Sequence, residues 1–270
     1  MALHGINPRR TSANPATQKK LWIYTNYDCN LHCSYCVAES NPQAARRALS
    51  LETVKRLIDE ALELEFEHIY FTGGEPFLLE EIYTMLAYSS QHVKTTVLTN
   101  ATLFRGKRLD SLCAIQDDKL LVQVSLDGIR AEQHDPYRGE GSWAKTMEGI
   151  RNLQKRGFRV RLSTTETSSN TAHLAEICEF HQSLGILEED HIIRPLAKRG
   201  YSKEGLDVSK QNLVPEITIN ANGVYWHPLS TDVDMRVTDK IFPLAEAVYQ
   251  VGRELETMTG EDQEPLNTFQ

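Results

Sequence analysis

The sequence predicts an α/β protein, a partial barrel of six β/α units of the TIM type followed by a small extension made of a hairpin and a helix. Three observations predict it. Strand-like and helix-like segments alternate six times before residue 200, the alternation then stops, and a hairpin signal follows at Asn222-Gly223. Repeated β/α units imply parallel strands covered by helices. Six units of this length suit a partial barrel better than a flat, doubly wound sheet.

The predicted strands are short runs rich in β-branched, aromatic and aliphatic residues. They cover residues 21–26, 67–72, 94–99, 120–126, 158–165 and 190–195. In the fourth strand, Val122, Val124 and Leu126 alternate with Gln123, Ser125 and Asp127. Because strand side chains alternate between faces, the polar set should point into the lumen of a barrel.

The predicted helices follow the strands and show apolar residues at helical spacing. They cover residues 50–65, 79–90, 106–115, 142–156 and 170–184. Ser50 is the expected N-cap of the first helix. After the barrel, residues 215–229 predict a β-hairpin around the turn dipeptide Asn222-Gly223, and a helix is expected near 242–257.

The chain is therefore divided into four predicted parts. They are a flexible N-terminal tail at 1–19, a core barrel at 20–200, the extension at 201–258 and an acidic C-terminal tail at 259–270.

The composition argues against a nucleic-acid-binding protein and against a membrane-spanning one. The chain has 270 residues with 29 basic and 37 acidic side chains, a net charge of −8. This balance leaves no general basic surface for nucleic acid. No apolar run approaches the roughly 20 residues that span a bilayer, and the N-terminus lacks the apolar core of a secretory signal, so we expect a cytoplasmic protein without a membrane segment.

Three of the five cysteines carry the strongest chemical signal. Cys29, Cys33 and Cys36 lie within eight residues, spaced C-x-x-x-C-x-x-C, directly after the first strand. In a reducing compartment such a cluster more often binds metal or does redox chemistry than forms disulfides. Iron–sulfur clusters normally take four thiolates, so three would leave one iron open to a small molecule.

Two alternatives to an iron–sulfur cluster stay open at this point. The three cysteines and His32 could complete a zinc site, since zinc accepts this donor set. Cys113 and Cys178 lie on predicted apolar helix faces and are interpreted as core residues, not as a second metal site.

Further candidate ligand-binding residues lie in or at the ends of the predicted strands. Gly73-Gly74-Glu75-Pro76 ends the second strand, where two glycines allow a close backbone approach to a ligand and Glu75 can accept bonds from an ammonium group. Arg161 should face the lumen, where it could bind a carboxylate or pair with a structural acid. His191, in the sixth strand, is expected to be structural.

These motifs together resemble the radical S-adenosylmethionine (SAM) superfamily, in which an aromatic residue such as Tyr35 precedes the last cysteine. The resemblance implies that Gly73, Gly74 and Glu75 form the motif that binds the SAM amino group. Ser125-Leu126-Asp127-Gly128 and His134-Asp135-Pro136-Tyr137-Arg138 resemble the stretch found in sulfatase and peptide maturases. There the resemblance implies that Ser125 and Arg138 contact the SAM ribose and carboxylate. Asp127 is a lesser candidate that could instead shape the turn, and Asn100 stands where the family often has a polar residue near SAM.

The resemblance also implies a chemistry. A [4Fe-4S] cluster on Cys29, Cys33 and Cys36 would receive an electron from a flavodoxin or ferredoxin-type donor and cleave SAM reductively. The resulting 5′-deoxyadenosyl radical would take a hydrogen atom from a small-molecule or peptide substrate, two classes that the sequence favours equally. The alternative function is a non-catalytic barrel that holds zinc or a structural cluster and acts in binding or assembly.

The extension departs from the family pattern. The hairpin resembles the start of the SPASM or twitch extension, in which a cysteine follows a glycine-turn hairpin. This chain has His227-Pro228-Leu229-Ser230 there, and no cysteine follows Cys178. We therefore expect a degenerate extension without an all-cysteine auxiliary cluster.

Overall fold

A computed structural model describes residues 19–209, 213–229 and 233–258 of the chain. The tails predicted at 1–19 and 259–270 lie outside the described residues, except for Lys19, so their flexibility stays a prediction.

Six parallel strands form the barrel wall, as the sequence predicts. In chain order the strands are β1 (Lys20–Tyr24), β2 (His68–Thr72), β3 (Lys94–Thr99), β4 (Leu120–Ser125), β5 (Val160–Glu166), β6 (His191–Pro195), β7 (Ala197–Lys198), β8 (Leu206–Asp207), β9 (Ile217–Asn220), β10 (Gly223–Tyr225) and β11 (Arg236–Thr238). Strands β1 to β6 pair with their sequence neighbours in parallel. The predicted α/β partial barrel is confirmed.

Helices alternate with the strands and cover the outside of the sheet. They are α1 (Leu51–Glu63), α2 (Ile82–His92), α3 (Lys107–Cys113), α4 (Ala131–Arg138), α5 (Ser142–Lys155), α6 (Leu174–Ser183) and α7 (Leu244–Met258). Ser50 is the N-cap of α1, and its side chain accepts a hydrogen bond from the Thr53 amide. Helix α4 was not predicted from the sequence, because its eight residues contain Pro136 and lack an apolar stripe.

The two faces of the sheet have different compositions. The outward side chains of the central strands, Ile69, Phe71, Val122, Val124 and Leu162, are fully buried under the helices in the hydrophobic core. The opposite face carries polar side chains such as Gln123, Ser125, Arg161 and Ser163, which line internal cavities. In β4, the polar side chains therefore face the lumen, as predicted, and the apolar side chains face the helices.

The extension joins the barrel sheet. Strand β9 pairs in parallel with β1, and β10 and β11 follow antiparallel, so the full order is β11-β10-β9-β1-β2-β3-β4-β5-β6. The predicted hairpin is present, but its turn falls one residue earlier than expected. Gly223 already pairs with Asn220, which leaves Ala221 and Asn222 as the turn residues.

Helix α5 is pressed closely against the loop that follows β3. A Cβ added to Gly149 would lie 2.1 Å from the carbonyl oxygen of Ala101, whereas a Cβ at Gly252 of α7 would meet nothing within 4 Å. The Thr146 hydroxyl donates to the Asn100 carbonyl at 2.9 Å, so α5 also fixes the Asn100 loop.

We predict opposite effects for two helical glycine substitutions. Gly149→Ala should lower the free energy of unfolding by about 1–3 kcal/mol, because the methyl group overpacks a backbone contact. Gly252→Ala should raise it by up to about 1 kcal/mol, since alanine favours helix and the position is open. Urea denaturation of both variants measures the difference. Equal effects would show that α5 does not need this close approach.

Candidate active site

A cavity of about 230 Å³ opens at the carboxyl ends of the barrel strands. We call it the upper cavity. Eight of the ten site residues predicted from the sequence line it: Cys29, Cys33, Cys36, Gly73, Gly74, Asn100, Ser125 and Arg138. The other two, Glu75 and Asp127, are fully buried behind its wall. Folding thus gathers residues from β1, β2, β3, β4 and α4 at one rim, as expected where parallel strands end.

The three cysteine thiols form one side of the upper cavity. The Leu31 amide donates to the Cys29 sulfur and the Ser40 amide to the Cys36 sulfur, both at 3.4 Å. The Asn100 side-chain amide lies 3.8 Å from the Cys29 sulfur. Donors aimed at sulfur stabilise thiolates, which is the form that binds iron. This donor set therefore fits an iron–sulfur cluster.

Burial favours the protonated form of Cys29 and Cys33. Together with the nearby Glu75 carboxylate, it raises the pKa of Cys29 to about 12. Burial likewise raises the pKa of Cys33 to about 11, although Arg138 opposes the shift. A metal that binds here must displace these protons. Among the described residues, no group of three or more His, Cys, Asp or Glu side chains is arranged to hold a single metal ion.

The cysteine loop is attached to the loop after β2 by backbone contacts. The Gly74 amide donates to the Asn26 carbonyl at 2.9 Å, and the Glu75 amide donates to the Asp28 carbonyl at 3.0 Å. The Asn26 side-chain amide reaches the Asp28 and Glu75 carbonyls. A Cβ at Gly74 would lie 2.1 Å from the Asp28 carbonyl oxygen, so only glycine allows this approach. The two glycines thus serve the packing of two loops as well as the cavity.

Glu75 connects the ends of β2 and β3. Its carboxylate accepts bonds from the Thr99 hydroxyl at 2.8 Å, the Asn100 amide at 2.9 Å and the Phe77 amide at 3.2 Å. Burial raises the pKa of Glu75 to about 7, although these hydrogen bonds oppose the shift. The side chain does not line the upper cavity, so its contact with a ligand ammonium stays a prediction.

A buried ion pair lies beneath the opposite wall. The Asp127 carboxylate accepts from Arg138 Nε at 2.6 Å, from the Tyr35 hydroxyl at 2.5 Å and from the Thr165 amide at 2.9 Å. Burial alone would raise the pKa of Asp127, but the Arg138 guanidinium outweighs it and holds that pKa below its usual value. Asp127 thus fixes both Tyr35 and Arg138, which line the cavity, without lining it.

Each of the three polar residues that characterise the stretch from His134 to Arg138 has a defined hydrogen-bond partner. His134 Nδ1 accepts a hydrogen bond from the Asp127 amide at 3.1 Å. Asp135 caps α5, because its carboxylate accepts from the Gly141 and Trp143 amides, both at 2.8 Å. Arg138 then pairs with Asp127. The stretch orders the loop after β4 and presents Arg138 to the cavity.

A second cavity of about 400 Å³ continues deeper into the barrel. We call it the inner chamber. It shares Gln123, Arg194 and Leu229 with the upper cavity. Trp22 and Tyr70 stack at 4.2 Å between ring centroids along one wall. Sequence analysis did not identify Arg194, although the period-two alternation of the sixth strand places it on the inner face.

The remaining sequence candidates lie away from the upper cavity. His32 is exposed and its ring lies 5.0 Å from that of Tyr201. Cys113 packs against the core and Cys178 is half-buried, and neither lines the two cavities. Arg161 combines both predicted roles, because it lines the inner chamber and also pairs with Asp190 at 3.4 Å. His191 points away from the lumen, with its ring 4.2 Å from that of His181.

A parallel β/α barrel with three convergent cysteines at its carboxyl rim defines a class of cofactor-dependent enzymes. Comparison with known proteins identifies the family. The family model described as the radical SAM superfamily matches residues 23–172, more than half of the chain. The chain therefore belongs to the radical SAM superfamily and is an enzyme of that family. Binding of SAM and an iron–sulfur cluster is implied by this membership.

Relatives of known name include synthases and maturases. An AdoMet-dependent heme synthase of Oleidesulfovibrio alaskensis is 33% identical over 67% of this chain and 47% of its own length. The subtilosin biosynthesis protein AlbA of Bacillus subtilis is 33% identical over 58% of this chain and 35% of its own length. The mycofactocin maturase MftC of Mycolicibacterium smegmatis is 30% identical over 64% of this chain and 44% of its own length. The chain spans about half the length, or less, of these relatives. The predicted relationship to the maturase-like branch is confirmed.

Solved structures share the fold. The enzyme anSMEcpe with bound AdoMet and a peptide superposes with a TM-score of 0.66 and 15% identity, covering 89% of this chain and 82% of that one. Streptococcus suis SuiB bound to S-adenosylmethionine superposes with a TM-score of 0.61 and 19% identity, and the match covers 72% of this chain and 44% of SuiB. Within the described ranges, no helix is both long and apolar enough to cross a membrane.

We predict that Asp127→Asn destabilises the fold strongly. At neutral pH it should lower the free energy of unfolding by about 3–5 kcal/mol, because it leaves the buried Arg138 without its counter-charge. The pKa of Asp127 is lowered in the folded state, so this stabilisation is present above pH ~4 and is lost as the carboxylate is protonated at lower pH.

Denaturant unfolding at several pH values measures the effect. Asp110→Asn is the matched control, because it removes the exposed pair with Arg156 and should cost less than about 1 kcal/mol. A loss at Asp127 no larger than at Asp110 would contradict the role of the buried pair.

Proposed function

We propose that the upper cavity holds a [4Fe-4S] cluster on Cys29, Cys33 and Cys36, with SAM beside it, and that the enzyme abstracts a hydrogen atom from a substrate in the barrel. One observation carries the proposal. The three thiols share a single cavity with Gly73, Gly74, Asn100, Ser125 and Arg138, the residues that the family resemblance assigns to SAM. The donor set and the polar wall thus lie within reach of one ligand.

The cofactors supply the bond-breaking step. When bound, they provide reductive cleavage of SAM, in which one electron from a donor protein breaks the C5′–S bond and the products are methionine and, after hydrogen transfer from the substrate, 5′-deoxyadenosine. The chain supplies position and exclusion of water. We propose a flavodoxin or ferredoxin-type protein as the electron donor.

The protein residues orient SAM from two sides. Ser125 presents a hydroxyl at the end of β4, and Arg138 presents a guanidinium held in place by Asp127. On the other side, Gly73 and Gly74 offer backbone atoms, and Asn100 lies against Cys29. Tyr35 lines the cavity, and the hydrogen bond from its hydroxyl to Asp127 fixes the ring in the wall. Rigid placement of polar groups in a dry site is what radical chemistry requires of a protein.

Both substrate classes retain support. Heme synthases are among the relatives, which favours a small molecule, and SuiB has been solved bound to a precursor peptide, which favours a peptide. The inner chamber is the space in which the reacting part of either substrate would lie, because it opens directly into the upper cavity. The non-catalytic zinc alternative has no specific observation in its favour.

The first functional prediction concerns 5′-deoxyadenosine. After anaerobic cluster reconstitution, SAM and dithionite should yield 5′-deoxyadenosine with the wild-type chain. The triple variant Cys29→Ala/Cys33→Ala/Cys36→Ala should yield at least about 100-fold less, because thiolates are the cluster ligands. Mass spectrometry and iron content measure the outcome.

Cys178→Ala is the matched control, since this cysteine lines neither cavity and should not alter the yield. A cluster-loaded, reduced wild-type protein that makes no 5′-deoxyadenosine, even with candidate substrates, would refute the proposed function.

The second prediction tests the SAM wall. Ser125→Ala should weaken SAM binding to the cluster-loaded protein about fivefold, which corresponds to the loss of one hydrogen bond of about 1 kcal/mol. Equilibrium dialysis with labelled SAM measures the affinity. The control is Ser183→Ala, which changes an exposed hydroxyl at the end of α6. If both variants bind SAM as the wild type does, Ser125 does not contact SAM.

A further inference from the structure

Arg194 has an unusual position in the barrel. It lies on β6 and lines both the upper cavity and the inner chamber. Its Nε atom is buried, and in the described part of the chain it has no hydrogen-bond partner. The ion pairs seen within that part also do not include Arg194. A guanidinium therefore points into the cavity system without an anion of its own.

Two acidic side chains line the inner chamber, Glu189 and Glu216. Glu189 is exposed, whereas Glu216 and Asp190, the residue after Glu189, are engaged by other groups. Asp190 accepts from Arg159 at 2.6 and 3.0 Å and from Arg161 at 3.4 Å. Glu216 accepts from the Lys20 ammonium at 3.2 Å and also from the Trp22 indole. In the described part of the chain, none of these acids comes within ion-pair distance of Arg194, although the Glu216 carboxylate favours its charged form electrostatically.

Such a charge is costly unless a ligand compensates it. Burial lowers the pKa of Arg194, which reports the penalty of holding the cation away from water. A buried charge without a partner destabilises a fold, and polar groups in such positions mark binding sites. The planar guanidinium matches the two oxygens of a carboxylate or phosphate.

The surroundings of Arg194 suit an anion attached to an apolar body. Trp22 and Tyr70 form a stacked aromatic wall in the same chamber. The chamber extends away from the cysteines, and SAM already has Ser125 and Arg138 in the proposed function. An anion on the inner-chamber side of Arg194 would therefore lie apart from the groups that the proposed function assigns to SAM.

We propose that Arg194 binds an anionic group, a carboxylate or phosphate, of the substrate in the inner chamber. The identification of the occupant as substrate rests on the proposed function, but the anion site itself does not. The substrate is thereby placed with its charged group on β6 and its apolar part against Trp22 and Tyr70.

The experiment measures anion binding without turnover. Benzoate, phenyl phosphate and uncharged benzamide are titrated into the cluster-loaded, oxidised protein in the presence of saturating SAM, and binding is followed by ligand-observed NMR. Benzoate or phenyl phosphate should bind, and which of them binds more tightly identifies the preferred anion. Benzamide should bind at least tenfold more weakly. Equal binding of benzamide, or no binding of either anion at millimolar concentration, overturns the proposal.

Two substitutions assign the site. Arg194→Gln should weaken binding of the preferred anion at least tenfold, and Arg194→Lys should weaken it less, because the charge remains without the planar fork. Arg156→Gln, an exposed arginine at the end of α5, is the control and should bind as the wild type does. Circular dichroism verifies that each variant is folded.

A parallel SAM titration separates the possible results. If Arg194→Gln loses SAM affinity and keeps anion affinity, Arg194 serves the cofactor and the proposal is wrong. If anion binding depends on Arg194 while the wild-type protein forms no 5′-deoxyadenosine, the anion site stands and the proposed radical function fails.

Discussion

Buried polar side chains at the strand ends are the interaction on which this barrel depends. Parallel strands bring their carboxyl ends to one rim, where the connecting loops carry backbone groups that the sheet cannot pair. Asn26, Glu75 and Asp127 follow β1, β2 and β4, and each is fully buried and hydrogen-bonded to a residue of the next strand or of the loop after it. They convert separate loops into one connected rim. The cysteine loop, the Gly74 turn and the Asn100 loop are positioned by these bonds.

In the same arrangement, the residues that position the cavity wall are not the residues that face a ligand. Glu75 and Asp127 lie behind the cavity wall, and the groups they hold form its surface. Asp127 orients Arg138 and Tyr35, and Glu75 fixes the amide of Asn100. A carboxylate facing an open cluster site would add negative charge beside three thiolates. Keeping these acids behind the wall leaves neutral and positive groups toward the cavity.

The extension contributes to the interior of the barrel. Because β9 pairs with β1, it continues the wall at the edge where the six-stranded barrel is open. Glu216, just before β9, and His227, Pro228 and Leu229, just after β10, then line the inner chamber. This part of the chain carries no cysteine, so its contribution in the described residues is a wall of the chamber, formed where the family resemblance would place a cluster ligand.

The sequence by itself determined the barrel class, the six strands and eight of the residues that line the upper cavity. Alternation fixes which side chains face the lumen, and cysteine spacing restricts the chemistry, and both are local properties of the chain. Helix α4 lacked such a local signal. Only the tertiary structure decided that Glu75 and Asp127 lie behind the wall, that the hairpin joins β1, and that Arg194 makes no ion pair with any described residue. These outcomes depend on contacts between residues distant in sequence, such as Lys20 with Glu216, and no local pattern records which partner a charged side chain takes.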